Sequence, residues 1–166
     1  MPEKEKESAN AMLQLVIFRL RDEEFGVDIG SVREITRVGD ITHIPGAPSF
    51  ITGVTNLRGQ ILAVIDLAGQ LGLPSRKKLA ASARIVVTEA NGNTVGMLVD
   101  EVPGVSKMAE GNIEPTPELI QTEIKKDYIK GVGKLDDRLV IILDLEKVLA
   151  SHELAEVAEA TAGEEN

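Results

Sequence analysis

The sequence predicts an all-β protein made of two similar strand-rich units packed together, with short helices and a helix at the C-terminal end. Three observations predict it. Short segments rich in Val, Ile, Leu and Phe alternate with Gly, Pro, Asn and Asp along the chain, the pattern of strands bounded by turns. One of those turns is Asn91-Gly92, the strongest two-residue hairpin signal. The third observation is self-similarity. Residues 50–72 align with 128–150 without a gap, with identities at Ile51/Ile129, Gly53/Gly131, Val54/Val132, Leu57/Leu135, Asp66/Asp144, Leu67/Leu145 and Leu71/Leu149. A weaker match sets Leu15–Val32 against Ile85–Val102, with Gly26 over Gly96.

Taken in order, residues 1–12 read as a flexible, charged N-terminus and Leu13–Leu20 as the first strand. Asp22, Glu23 and Glu24 make a turn, and Phe25-Gly26-Val27 resumes the strand character. Asp28 is placed to cap a short helix, on which Ile29, Val32 and Ile35 would form one apolar side. Pro45, Gly46 and Pro48 mark a loop. Gln60–Leu67 is apolar on both faces, as in a strand buried on both sides. Leu67–Leu71 reads as one helical turn ended by Gly72 and Pro74, and residues 75–82 as a polar linker. Ala83–Glu89 and Thr94–Asp100 flank the Asn-Gly turn, and Val102–Met108 follows as another strand. Residues 110–127 are mixed and contain Pro. Tyr128–Val132 and Arg138–Leu145 read as strands around Asp136-Asp137. A helix is expected over 146–160 and a frayed acidic tail over 161–166. The expected domain is 13–150, with one unit over about 13–72 and the other over about 83–145. A unit of about 60–70 residues is marginal alone, and packing two together supplies a shared apolar seam.

Composition narrows the chemistry. The 166 residues contain no Cys and only two His, at 43 and 152. Disulfides, thiolate metal sites, a Cys nucleophile and a His-rich metal centre are excluded. No apolar run of ~18 residues is present, and the N-terminus lacks a secretory signal, so the cytoplasm is the expected compartment. The net charge is −9, of which residues 151–166 hold −5 through five Glu and no Lys or Arg. The nearly balanced body and the single Tyr and three Phe argue against a nucleic-acid binder, which needs a basic face and stacking aromatics. The run Arg76, Lys77, Lys78 reads as a solvated loop. Gly131-Val132-Gly133-Lys134 lacks the spacing and hydroxyl of a phosphate loop. Asp66 and Asp144 end strands and suit helix caps. His43 stands in a loop without a matched nucleophile, and His152 faces Glu156 as a surface pair. No catalytic constellation, metal set or cofactor cradle emerges, so a binding module is expected rather than an enzyme. Arg58 stands out in the turn Asn56-Leu57-Arg58-Gly59, because the repeat places Asp136 at the matching position. Glu34 is a candidate ion-pair partner for it.

The segments Phe25-Gly26-Val27-Asp28-Ile29, Val32-Arg33-Glu34-Ile35, Ile44-Pro45, Ile51-Thr52-Gly53-Val54-Thr55-Asn56-Leu57-Arg58-Gly59-Gln60-Ile61 and Val64-Ile65-Asp66-Leu67 occur in that order. So do Val95-Gly96-Met97-Leu98-Val99-Asp100, Ile129-Lys130-Gly131-Val132 and Leu143-Asp144. Together they closely resemble the CheW family of chemotaxis coupling proteins, over about 13–150. The resemblance implies two five-stranded SH3-like barrels side by side, closed by a C-terminal helix. It implies a non-catalytic adaptor that links the cytoplasmic tips of chemoreceptors (methyl-accepting chemotaxis proteins) to the regulatory domain of the histidine kinase CheA. Other copies of the family are further partners, without nucleic acid, membrane insertion, metal or cofactor, in the cytoplasm and recruited to membrane-bound receptor arrays. By position, the resemblance assigns receptor coupling to Val32, Glu34, Gly53, Asn56, Arg58, Ile85, Val102 and Val105. Of these, Val32, Ile85, Val102 and Val105 are expected to line an apolar groove. It assigns kinase contact to Ile41, His43 and Ile44 on the first barrel and Glu114, Glu118 and Leu119 on the second. Four alternatives remain at this stage. They are a coupling protein of another chemosensory pathway such as pilus motility, a fragment of the kinase itself, and, from other classes, a small hydrolase using His43 with Asp66 or Asp144 and a nucleic-acid-binding barrel, for which only nonspecific binding is expected.

Overall fold

A computed structural model describes residues 11–73, 79–90, 92–115 and 126–149 of the chain. Among the described residues, eleven strands form two sheets. They are β1 (Met12–Leu20), β2 (Glu23–Asp28), β3 (Val32–Arg37), β4 (Ile51–Leu57), β5 (Gln60–Asp66), β6 (Arg84–Ala90), β7 (Asn93–Val99), β8 (Glu101–Ala109), β9 (Ile113–Glu114), β10 (Ile129–Leu135) and β11 (Arg138–Leu143). Two short helices follow β5 and β11: α1 (Leu67–Gln70) and α2 (Leu145–Leu149). The first sheet runs β8-β1-β2-β11-β10-β9 and the second β3-β6-β7-β5-β4.

The two barrels do not coincide with the two halves of the chain. The hairpin β1–β2 lies beside β11, β10 and β8 from the second half, and the hairpin β6–β7 lies beside β3, β4 and β5 from the first. The expected units at about 13–72 and 83–145 therefore describe the sequence repeat but not the sheets. Each repeat gives its hairpin to one sheet and its remaining strands to the other. Equivalent contacts recur: β2 pairs in parallel with β11, and β7 in parallel with β5. The strand β3 runs along β6 as β8 runs along β1. Even the last edge repeats. Thr42 bridges Val54 in the second sheet, and Glu114 of β9 pairs with Val132 in the first.

Reciprocal exchange explains the hydrophobic pattern. Among the described residues, the buried side chains form three clusters. One barrel core holds Leu15, Ile17, Met108, Val140 and Ile142; the other holds Leu62, Val64, Ile85, Val87 and Leu98. Between them lies a larger cluster with Val16, Phe18, Leu20, Phe25, Ile65, Val86, Met97, Leu143, Val148 and Leu149. Alternate residues of β1, β5, β6 and β11 thus enter a barrel core and the shared seam, and such strands read as unbroken apolar runs because both faces leave water.

The expected helix bearing Ile29, Val32 and Ile35 is not formed. A single 3-10 turn, Ile29–Ser31, is capped by Asp28 Oδ1, which accepts from Gly30 N at 2.8 Å, and Val32–Arg37 is strand β3. Spacing by three was the misleading signal. The β-branched Val32, Ile35 and Thr36 suit a pleated edge, and pairing with β6 decides the outcome. Helix α2 begins where expected; its continuation over 150–160, the tail to 166 and the N-terminal residues 1–10 lie outside the described residues.

Candidate functional site

The most conspicuous polar corner is built by β3 and the β4–β5 hairpin. Leu57 and Gln60 close the hairpin, leaving Arg58-Gly59 as a two-residue turn. Both turn residues are left-handed, with φ 53° at Arg58 and 85° at Gly59, as a hairpin of the primed type requires. Asn56 Oδ1 accepts from Gly59 N at 2.8 Å and braces the turn. From it the Arg58 guanidinium reaches Glu34 on β3 with two contacts, Nη2 to Oε2 at 2.8 Å and Nη1 to Oε1 at 3.2 Å. Such a fork fixes the plane of the guanidinium. Glu34 is three-quarters buried at its side chain, whereas Arg58 is 79% exposed. The arrangement orients a cation that still faces solvent. Exposed Ile61, opposite Asn56 on β5, adds an apolar contact beside it.

The other residues assigned to receptor coupling divide into two kinds. Val32 and Val102, related by the weaker repeat, are half-buried and both pack against the central cluster, at the seam of the barrels. Val105 on β8 is 51% exposed. Ile85 does not line a groove. It is 1% exposed inside the second barrel core, because its position on β6 points opposite to Val86, which faces the seam. Gly53 is buried, and its role is one of close approach. With φ 151°, a Cβ there would run into the Thr42 carbonyl. At Gly131 the same atom would stand 2.6 Å from the Glu114 carbonyl oxygen.

The residues assigned to the kinase fall on the outer edges of both sheets. Ile41 is half-buried against the second barrel core, Ile44 is half-buried, and His43 is exposed between them. Glu114 occupies the equivalent edge of the first sheet, with its carboxylate 4.0 Å from Lys134 Nζ. Glu118 and Leu119 lie outside the described residues, as do His152 and Arg76–Lys78. Asp144 Oδ1 accepts from Lys147 N at 3.3 Å, the cap expected for it. Asp66 occupies the equivalent N-cap position of α1 without a side-chain cap bond.

Reading for function from sequence named Val105 but passed over the exposed apolar residues that accompany it. Ile35 and Val105 correspond in one repeat and Ile61 and Leu139 in the other, and all four are 38–63% exposed. The apolar character of Ile35, Ile61 and Leu139 reads as core, and no local signal in the sequence separates them from the buried strand residues.

Two mutually packed SH3-like barrels with exposed apolar residues and an oriented surface arginine have the build of a binding module. Residues 14–153 match the CheW-like domain. The chain is 36% identical over 140 residues to the probable chemotaxis protein CheW of Rhizobium etli, covering 84% of this chain and 89% of that one. It is 37% identical over 145 residues to the chemotaxis protein CheW of Klebsiella aerogenes, covering 86% and 84%. The crystal structure of the scaffolding protein TtCheW from Thermoanaerobacter tengcongensis superposes with a TM-score of 0.76 at 36% identity, covering 86% of this chain and 91% of that one. The chain belongs to the CheW-like family, the non-catalytic coupling adaptors of chemotaxis.

Proposed function

We propose that the chain couples the cytoplasmic tips of chemoreceptors to the regulatory domain of the histidine kinase CheA. It acts in the cytoplasm at receptor arrays and catalyses no reaction. The receptor side comprises the Arg58–Glu34 corner with Asn56, and the seam beside Val32, Val102 and Val105. A helical receptor tip would present an apolar stripe to the seam and a carboxylate or carbonyl to the guanidinium. The kinase side comprises the outer sheet edges at Ile41, His43 and Ile44 and at Glu114, with Glu118 and Leu119. These edges occupy equivalent places in the two barrels, which supports docking of a sister barrel at each end. Each bound partner biases the binding of the other through a coupling free energy.

Arg58 carries this reading. A non-glycine residue is held left-handed and exposed by an acid three-quarters buried, at a turn the repeat closes equally well with Asp136. The fold does not require an arginine there. The test replaces Arg58 with Ala and measures binding to a receptor cytoplasmic fragment and to the kinase regulatory domain separately. Receptor affinity is expected to fall about tenfold, or ~1.4 kcal/mol, with kinase affinity retained. If the variant stays folded and neither affinity falls, the assignment is wrong.

A further inference from the structure

A second cationic feature lies apart from the Arg58 corner, at the far end of the β3–β6 ladder. Along that ladder Arg33 is paired in charge with Glu89, but Arg37 stands directly opposite Arg84. Like charges in direct register repel. The Arg84 guanidinium is held by the Ala81 and Ala83 carbonyls at 3.1 and 2.8 Å. The Arg37 side chain has no hydrogen-bond or ion-pair partner among the described residues. The two arginines border an open groove of about 550 Å³, walled by Val38, Ala80, Ala81 and Ala83, with Leu79 48% exposed at its rim. In a chain of charge −9, this groove offers paired cations beside apolar surface.

The geometry points to the chain's own acidic C-terminal segment, residues 151–166, as the occupant of this groove. Three observations select it. The segment carries five Glu, no Lys or Arg, and Leu154 and Val157 among them, which complements two guanidinium groups and an exposed leucine. Helix α2 packs on β6. Its last described residue, Leu149, shares the central cluster with Val86 and Val99; the first lies two residues from Arg84 and the second directly opposite it. The chain therefore leaves the core beside β6, and eight of the remaining residues, extended at about 3.3–3.6 Å each, span roughly 26–29 Å. A short tether gives an effective concentration in the millimolar range, so carboxylate–guanidinium contacts that are weak between separate molecules fill the groove within one. The tail thereby screens the arginine pair from acidic segments of other proteins.

The absence of cysteine makes the test direct. Ala160→Cys in the full chain is labelled with a nitroxide, and amide signals are followed by NMR. Broadening is expected at residues 37–38 and 79–84. It should disappear in Arg37→Glu, an exposed change that removes no described contact, and persist in Arg37→Lys. Absent broadening at those amides, or broadening that Arg37→Glu leaves intact, overturns the proposal. So does broadening carried only between labelled and unlabelled copies in a mixed sample. In a second arm the five tail Glu are changed to Gln in the full chain, and a synthetic 151–166 peptide is titrated to millimolar concentration. It should shift the groove amides of this variant and leave those of the unmodified chain unmoved. Equal shifts in both, or none in the variant, overturn it.

Discussion

Arg58 and Asp136 hold the same left-handed backbone, φ 53° and 55°, at matching turns of the two barrels. For an L-residue that conformation costs about 1–2 kcal/mol, and the exposed ion pair to Glu34 returns no more than about 1 kcal/mol. Arg58→Gly should therefore leave stability unchanged or raise it by up to about 1 kcal/mol, or ~2–4 °C in Tm, while receptor binding falls. Thermal unfolding and binding measured on the same variant check both halves; a clear loss of stability would mean the arginine serves the fold. Arg21, at φ 60°, is the contrasting case. Asp100 accepts from its backbone N–H at 2.6 Å and from its guanidinium at 3.0 and 3.2 Å, and both side chains are four-fifths or more buried. Asp100→Ala should cost about 1.5–3 kcal/mol, the range for hydrogen bonds to charged groups. Arg33→Ala, which removes the exposed pair with Glu89, should cost under about 1 kcal/mol. Urea unfolding of the two variants side by side reads the difference.

Among the elements, β4 and β10 begin with the same device. Each shows a register shift just before its glycine, at Ile51/Gly53 and Ile129/Gly131. Each glycine admits a backbone carbonyl from the neighbouring edge, Thr42 or Glu114. Gly53→Ala should destabilise by about 2–4 kcal/mol through overpacking and backbone strain, and Gly131→Ala by about 1–3 kcal/mol through overpacking alone. Gly39→Ala, with open space around its Cβ position, should stay within about 0.5 kcal/mol. Equal effects at all three positions in denaturant melts would remove the close-approach argument. These elements were legible in the sequence because their signals are local: Asn-Gly and Arg-Gly turns, paired glycines in the repeat, aspartates at strand ends. The Arg58–Glu34 pair was legible as a candidate for the same reason, an arginine the repeat did not explain. Strand β3 was misread because spacing by three resembles a helix in so short a segment, and only its non-local pairing with β6 overrides that. Ile85 was misplaced because β6 is apolar on both faces, and no alternation remains to tell which side meets solvent. The exposed Ile61 and Leu139 escaped for the converse reason, since an apolar residue in a strand reads as buried.

For the whole molecule, the repeat was legible but its partition between the barrels was not. Similarity between segments says that two units share a shape; it does not say which hairpin each unit keeps. The exchange has an energetic consequence. Strand β3 has β6 as its sheet partner, and β8 has β1, so cutting the chain between α1 and β6 leaves each half with an orphaned strand and an open core. The central cluster would be divided as well, stranding Phe18 and Phe25, stacked at 6.0 Å, from Val86, Leu143 and Leu149. Neither a 1–76 nor a 77–166 fragment should fold alone, because neither can close a sheet over an apolar core. Mixed in equal amounts they should regain the strand signal in far-UV circular dichroism and the near-UV signal of Tyr128, which is buried in the seam. The intact chain should unfold in one transition by both probes. Phe18→Ala should lower that single midpoint through a loss of about 3–5 kcal/mol, without splitting it. A fragment that folds by itself, or two separated transitions in the intact chain, would show that the barrels are independent units and that their shared seam is not the source of cooperativity. The proposed docking of partners at both outer edges relies on that cooperativity, because strain applied at one barrel reaches the other through the apolar seam packed between them.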